Sequence, residues 1–244
     1  MTQRLRITYA KAGALQYVAH LDLMRLWERT FRRAGLPLAY SEGFSPHPRL
    51  SLGAPLSVGA AGERELLDVW MVRAVDSAAV SQALDAVLPD GMAVVAVAEI
   101  DPRAAAIQAV TRGAHYEVTL EPSGTDLSGG DPGALRERIA EFLALDSLDW
   151  EEQRGEKLKR YDIRAAVNGL TVREQRGRVV VAMDLGLNER ATRRPLAVLA
   201  ALGVTVLPLA VVRLALVLVE PDAGPTSAPE RATGGAEPAA EGAA

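Results

Sequence analysis

The chain has no cysteine in its 244 residues. Disulfides, thiolate zinc sites, cysteine nucleophiles and an iron–sulfur cluster held by this chain are thereby excluded. Histidine is scarce as well. His20, His47 and His115 are the only three, and no HxxxH or HxH pairing joins them, so no metal site is expected. A Gly-rich phosphate loop of the GxxxxGK[ST] or GxGxxG type is missing, as is a GxSxG elbow. Long apolar runs are also lacking. The most apolar segment, 204–219, is broken by Pro208 and Arg213 and falls short of the about 20 residues that cross a bilayer. These absences lean away from an enzyme, call for no cofactor and give no reason to expect a membrane partner.

What is present is a chain with 49% apolar residues, enough for one large core or two small ones. It opens directly on strand-like alternation, so no signal peptide is expected and the cytoplasm is the expected compartment. The net charge of −4 is unevenly placed. Residues 1–53 carry eight basic side chains against three acidic ones, a local surplus of +5, while 221–244 carries one against four. That surplus allows a confined anionic site without making the chain a general nucleic-acid coat. The 221–244 segment is Ala/Gly/Pro/Glu low complexity and reads as a disordered tail.

Periodicity predicts a strand at 4–10 and a helix at 20–34, with Leu23, Met24, Trp27, Phe31 and Ala34 on its buried face. Gly35 stops the helix and Pro37 prevents its resumption. An extended arm follows at 36–41 and 50–58, then a strand at 65–75, a helix at 78–88 and a strand at 93–100. The order is βαββαβ, that of the ferredoxin-like sandwich. The second half repeats it: strand 115–121, helix 132–145, strands 159–167 and 178–185, helix 194–202 and strand 211–220. The expectation is an α+β chain of two ferredoxin-like units in tandem, each an antiparallel sheet covered on one face by helices. The units are 1–103 and 114–220, with 101–113 between them, a Gly/Ser/Asp loop at 123–132 and the tail after 220.

Chemistry concentrates between Lys11 and Gly59. In the run Gly43-Phe44-Ser45-Pro46-His47-Pro48-Arg49 two prolines fix their own φ and push Ser45 and His47 toward extended geometry. Gly43 permits the turn that starts the loop. Such a loop holds Phe44, His47 and Arg49 with little entropy left to lose on binding. The alternative is a rigid turn at a sheet edge. On the helix, Asp22, Arg25, Arg29 and Arg32 share one stripe. That stripe is either a solvated face with weak ion pairs or a set of guanidinium forks for phosphate. His20 stands at the helix start, where free amides and the dipole favour anions. His20 and His47 are the candidates for general acid–base work, with nothing in the sequence to show that they face one another. Further along, Asp162 and Arg164 sit two apart, either as a rim ion pair or as ligand contacts.

The same run resembles the radical SAM-linked protein family. That family's signature is a lysine–glycine turn, S-H-L-D opening an arginine-rich helix, R-x-G-L-P, and G-F-x-P-H-P. Lys11 and Gly13 match the turn, and His20, Leu21 and Asp22 match three of the four S-H-L-D positions. Arg33, Gly35, Leu36 and Pro37 match the next block, and Gly43, Phe44, Pro46, His47 and Pro48 the loop. Asp162-Ile163-Arg164 and Arg194-Pro195 fit the second half. Ala19 stands where the family has serine, so half of the capping box is lost, typically about 1 kcal/mol.

The resemblance implies a companion of a radical SAM enzyme, acting on RNA. The expected function is therefore an accessory module that presents an RNA or other phosphate-bearing substrate to a radical SAM protein on a separate chain. Arg25, Arg29 and Arg32 would take phosphates, and Phe44 would stack a base. His47 and Arg49 would read the presented group, with Lys11, Asp162 and Arg164 as further contacts. Two other readings stand beside it: a metal-independent endoribonuclease using His20 and His47, and a protein–protein adaptor with no ligand.

Overall fold

In strand β1 (Gln3–Lys11) the alternation of the sequence becomes two faces. Leu5, Ile7 and Tyr9 are buried on one, while Arg4 and Arg6 lie on the other and both reach the buried carboxylate of Asp68, at 2.6 and 2.7 Å. A 3-10 turn at Gly13–Tyr17 leads to helix α1 (His20–Arg33). Its apolar stripe buries Leu23, Trp27 and Phe31, and Trp27 packs edge-on against Tyr9 with ring centroids 5.0 Å apart. The helix has no side-chain cap at Ala19, as the missing serine predicts. Asp22 in the first turn and Arg32 and Arg33 in the last complement the helix dipole. Gly35, at φ 64°, closes it, with the Leu36 N–H donating back to the Phe31 carbonyl.

The chain then forms β2 (Leu50–Leu52), β3 (Ala60–Met71), α2 (Ser77–Asp85) and β4 (Met92–Ile100). Strand β1 pairs antiparallel with both β3 and β4, and β2 pairs antiparallel with β3. Leu5 stands opposite Val69 and Ile7 opposite Leu67, so both strands turn their apolar side chains toward α1 and α2. The structure is a computed structural model that describes residues 2–121, 131–154, 157–188, 191–192 and 194–219. The expected tail and most of the 123–132 loop lie outside the described residues.

The second half contains α3 (Ile107–Val110), β5 (Thr111–Leu120), α4 (Pro132–Ala144), β6 (Asp149–Arg154) and β7 (Lys157–Asp162). It continues through a 3-10 turn at Arg164–Ala166, β8 (Val167–Gln175), β9 (Arg178–Asn188), β10 (Ala191–Thr192), α5 (Pro195–Ala201) and β11 (Ala210–Leu218). The connection between the halves is pinned to β1, because Arg4 donates to the carbonyls of Ala104 and Ala105 at 2.5 and 3.1 Å.

The result is an α+β fold with a large, mostly antiparallel sheet and few helices. Among the described residues nine strands form one sheet in the order β10-β9-β5-β11-β3-β1-β4, with β2 attached to β3 and β8 to β9. Within each half the four principal strands lie fourth, first, third, second: β4-β1-β3-β2 and β11-β5-β9-β8. The two sheets expected from the sequence are therefore continuous. They meet where β11 runs parallel to β3, Val211 to Arg213 opposite Ala60 to Gly62. Two further expectations are corrected. The strand predicted at 159–167 divides into β7 and a turn, and the partner of β9 is β8, which lies at 167–175. The charged run after residue 148 forms a β6–β7 hairpin outside the main sheet, with Arg160 and Glu151 paired across it at 2.6 Å.

One apolar core lies in each half. Between them sits a buried ion pair. Arg213 of β11, 0% exposed, donates from Nε to Glu65 Oε1 of β3 at 2.7 Å and from Nη2 to Glu65 Oε2. It also donates to the carbonyls of Ala54 (2.7 Å) and Pro55 (3.1 Å). Gly62 makes room for this pair, since a Cβ there would stand 2.6 Å from Glu65 Cγ. Arg213 shares a face with Tyr116 on one side and Glu65 on the other, so both halves carry their helices on the same side of the sheet.

Removing one member of a buried pair strands the other charge. Glu65→Leu or Arg213→Met alone is expected to cost about 3–5 kcal/mol in urea unfolding, and the double variant to recover most of that loss. A double-variant loss equal to the sum of the two single losses would show that the residues do not act as a pair.

Candidate functional site

A small cleft opens beside the ion pair, lined by Tyr9, Lys11, His20, Glu65 and the 52–56 segment. Each polar group arrives on a different element. Tyr9 and Lys11 come from the end of β1, His20 is the first residue of α1, and Glu65 comes from β3. The Gly53–Leu56 stretch wedges between β2 and β11, which is why its carbonyls reach Arg213.

Burial sets the protonation states here. Lys11 is 1% exposed, and its Nζ donates to the Val18 carbonyl at 3.4 Å. Burial lowers its pKa and the Arg213 charge lowers it further, against the opposing pull of Glu65. His20 is shifted down in the same way, first by burial and then by the charges of Arg213 and Lys11, so the imidazole is neutral at pH 7. Tyr9 is pushed far above the ordinary phenol range by burial and by Glu65, and keeps its proton. Burial also opposes the Arg213 charge, but the hydrogen bonds and charge of Glu65 outweigh it and hold the guanidinium ionised.

The other candidate residues fall into separate places. On the outer face of α1, Arg25, Arg29 and Arg32 are all exposed, and Arg25 pairs with Asp22 at 2.9 Å. The loop at 41–47 folds back on itself. Ser41 N–H donates to the His47 carbonyl at 2.8 Å, and His47 N–H donates to Ser41 Oγ at 3.0 Å. Phe44 and His47 project into solvent, Phe44 without any cover. Arg49 lies over the Trp70 ring at 4.9 Å, as does Arg4 at 4.6 Å.

Trp70, at the base of this loop, is five residues along β3 from Glu65, roughly 17 Å at about 3.3 Å per residue. No residue of the loop lines the cleft that holds His20. The structure therefore does not bring His20 and His47 together as an acid–base pair. Asp162 and Arg164 serve the turn after β7. Asp162 Oδ1 accepts from the N–H groups of Leu148 and Arg164, each at 2.9 Å. The Arg164 guanidinium donates to the carbonyls of Val167 (2.7 Å) and Leu143 (3.1 Å). Among the described residues no group of three or more His, Asp or Glu could hold a metal ion, and no helix is long and apolar enough to cross a membrane.

Sequence reasoning passed over Glu65 and Arg213, the centre of this arrangement. A signal was present: Arg213 interrupts an otherwise apolar strand, AVVRLALVL, and a charge in such a setting requires a buried partner.

Fold and site together describe an α+β protein whose polar cleft lies at the junction of two halves. A family model described as "Uncharacterized protein conserved in bacteria (DUF2344)" matches residues 4–195, and the chain belongs to that family. No curated protein matches it. Among solved structures it is similar to a chain of "Crystal Structure of a Cbf5-Nop10-Gar1 Complex", at 13% identity and a TM-score of 0.47. The likeness covers 87% of this chain and 48% of that one, so this chain spans about half its length. A similarity of that size carries no argument about function.

The exposure of His47 makes a clear expectation. His47→Ala should change unfolding free energy by no more than about 0.5 kcal/mol, because no buried group loses a partner. A loss of about 1–3 kcal/mol would place the imidazole in a structural hydrogen bond instead.

Proposed function

We propose that the protein is a binding module that presents an RNA, or another phosphate-bearing substrate, to a radical SAM enzyme on a separate chain. The observation that carries this reading is the stripe of Arg25, Arg29 and Arg32, exposed on one face of α1. Guanidinium forks suit phosphate oxygens, and an exposed α-helix presents them at a spacing that a polyanion can follow. Phe44, bare on a loop closed by its own hydrogen bonds, offers a stacking surface. Arg49, five residues on, is held over Trp70. The link to a radical SAM partner rests on the resemblance of the Lys11–Gly59 run to the radical SAM-linked family. The repeated strand order supports reading 1–103 and 114–220 as two ferredoxin-like units fused through β3 and β11. The separation of His20 from the His47 loop speaks against the endoribonuclease reading.

Fluorescence anisotropy with labelled small RNA tests the module. Affinity should fall with salt, and Arg29→Ala should flatten the log–log slope by about 0.7–0.9, one phosphate contact, without changing the melting temperature. Binding no stronger than that of a neutral control protein would end the RNA reading. A pull-down that recovers a radical SAM protein but no nucleic acid would leave an adaptor.

A further inference from the structure

Lysine is almost never fully buried unless it is paired. Lys11 is 1% exposed, yet the neighbouring carboxylate is already taken: Glu65 gives both of its oxygens to Arg213. An ammonium has three donors. The one hydrogen bond seen for Lys11, to the Val18 carbonyl, is 3.4 Å, beyond the usual range of about 2.7–3.2 Å. Glu65 still attracts the Lys11 charge from a distance, but Lys11 has no carboxylate hydrogen-bonded to it.

The cleft in front of Lys11 supplies the remaining features. His20, on its wall, is the first residue of a 14-residue helix whose N-cap, Ala19, gives no side-chain hydrogen bond. The first-turn amides of α1 thus keep their donors and the positive end of the dipole. Tyr9 and the Arg213-bound carboxylate of Glu65 also line it, the remaining walls are apolar, from Leu23, Leu52 and Leu56, and the volume is about 10 Å³. That admits one oxygen-sized group. A polymer backbone does not fit in such a space, but the tip of a small oxyanion does.

We propose that this cleft is a small-oxyanion site, in which Lys11 Nζ, the His20 ring and the open first turn of α1 receive a terminal oxygen of a phosphate or carboxylate. It is separate from the arginine stripe and requires no RNA, so either reading can fail alone. The groups facing Lys11 are Tyr9 on its own strand, His20 on α1, Glu65 on β3 and, from β11, Arg213. Tyr9 and His20 are neutral at pH 7 and both Glu65 oxygens are held by Arg213, so the cation that an anion in the cleft would meet is Lys11.

A linked proton follows. Burial lowers the Lys11 pKa in the free protein, whereas a bound oxyanion raises it, so binding takes up a proton at a pH where Lys11 of the free protein is partly deprotonated. The sign follows from the lowered pKa. Lys11 destabilises the free protein at low pH, and stability rises as pH climbs through its folded pKa toward its unfolded value. Affinity for the anion falls over the same range.

The experiment uses the full chain with sulfate as the phosphate-shaped probe and acetate as the carboxylate, at ionic strength held with chloride. Wild type should show a saturable rise in melting temperature with at least one of them, and the stronger probe names the ligand class. Lys11→Met, which keeps the side-chain volume and removes the charge, should melt at or above the free wild type and bind the probe about tenfold or more weaker. Calorimetry of the wild type in pairs of buffers of different ionisation heat, at a series of pH values up to about 10.4, should show proton uptake on binding where Lys11 titrates, which needs no variant. The proposal is overturned if neither probe shifts the melt beyond chloride, if Lys11→Met retains the full shift, or if binding takes up no proton at any pH in that series.

Discussion

The Arg213–Glu65 pair is the interaction on which the rest of the structure depends. It joins the last described strand to the third, across the parallel junction of a sheet that is otherwise antiparallel among the described residues. Burying two charges costs several kcal/mol per ion, which only close geometry and further hydrogen bonds offset. Both conditions hold. The guanidinium spends its donors on the carboxylate and on the carbonyls of Ala54 and Pro55. Those two residues belong to the wedge that fills the fork between β2 and β11, so the pair fixes both the edge-to-edge contact of the halves and the segment that seals it.

The cleft follows from that arrangement. With Glu65 committed to Arg213, Lys11 is left buried without a carboxylate, and His20 feels two cations close by. Neither group is placed by its own element alone. β1 delivers Lys11 and α1 delivers His20, but their electrostatic condition is set by β3 and β11. Polyanion chemistry, by contrast, lies outside the seam, on the solvent face of α1 and on the 41–47 loop. One helix thus presents its N-terminus to the cleft and its arginine stripe to solvent, which allows a small ligand and a large one to be sensed on the same element.

Much of the first half was legible because its signals are local. Leu23, Trp27 and Phe31 repeat at helical spacing, Gly35 ends the helix, and Leu5, Ile7 and Tyr9 alternate. The loss of a cap at Ala19 was legible for the same reason. The β6–β7 hairpin was hidden because its strands carry charges where a buried strand would be apolar, with only Trp150 and Tyr161 partly packed on the core. Strand β8 was missed because Gly169 and the exposed Arg173 to Gln175 dilute its alternation. As for the site, Lys11, His20 and the arginine stripe were singled out, but that the first two share a cleft depends on a partner almost 150 positions away in sequence, Glu65 to Arg213 at a separation of 148. Nothing local announces such a pairing beyond an arginine in an apolar strand.

The central claim is that the ion pair leaves Lys11 buried with no carboxylate hydrogen-bonded to it. Lys11, Lys157 and Lys159 are the only lysines in the chain, so isotope-labelled lysine gives three resonances to follow through a pH titration. In anion-free buffer the resonance that is absent from Lys11→Met should titrate below the ordinary value of about 10.4. Titration of that resonance at or above about 10.4 would contradict the account, because Lys11 would then be solvated or already paired.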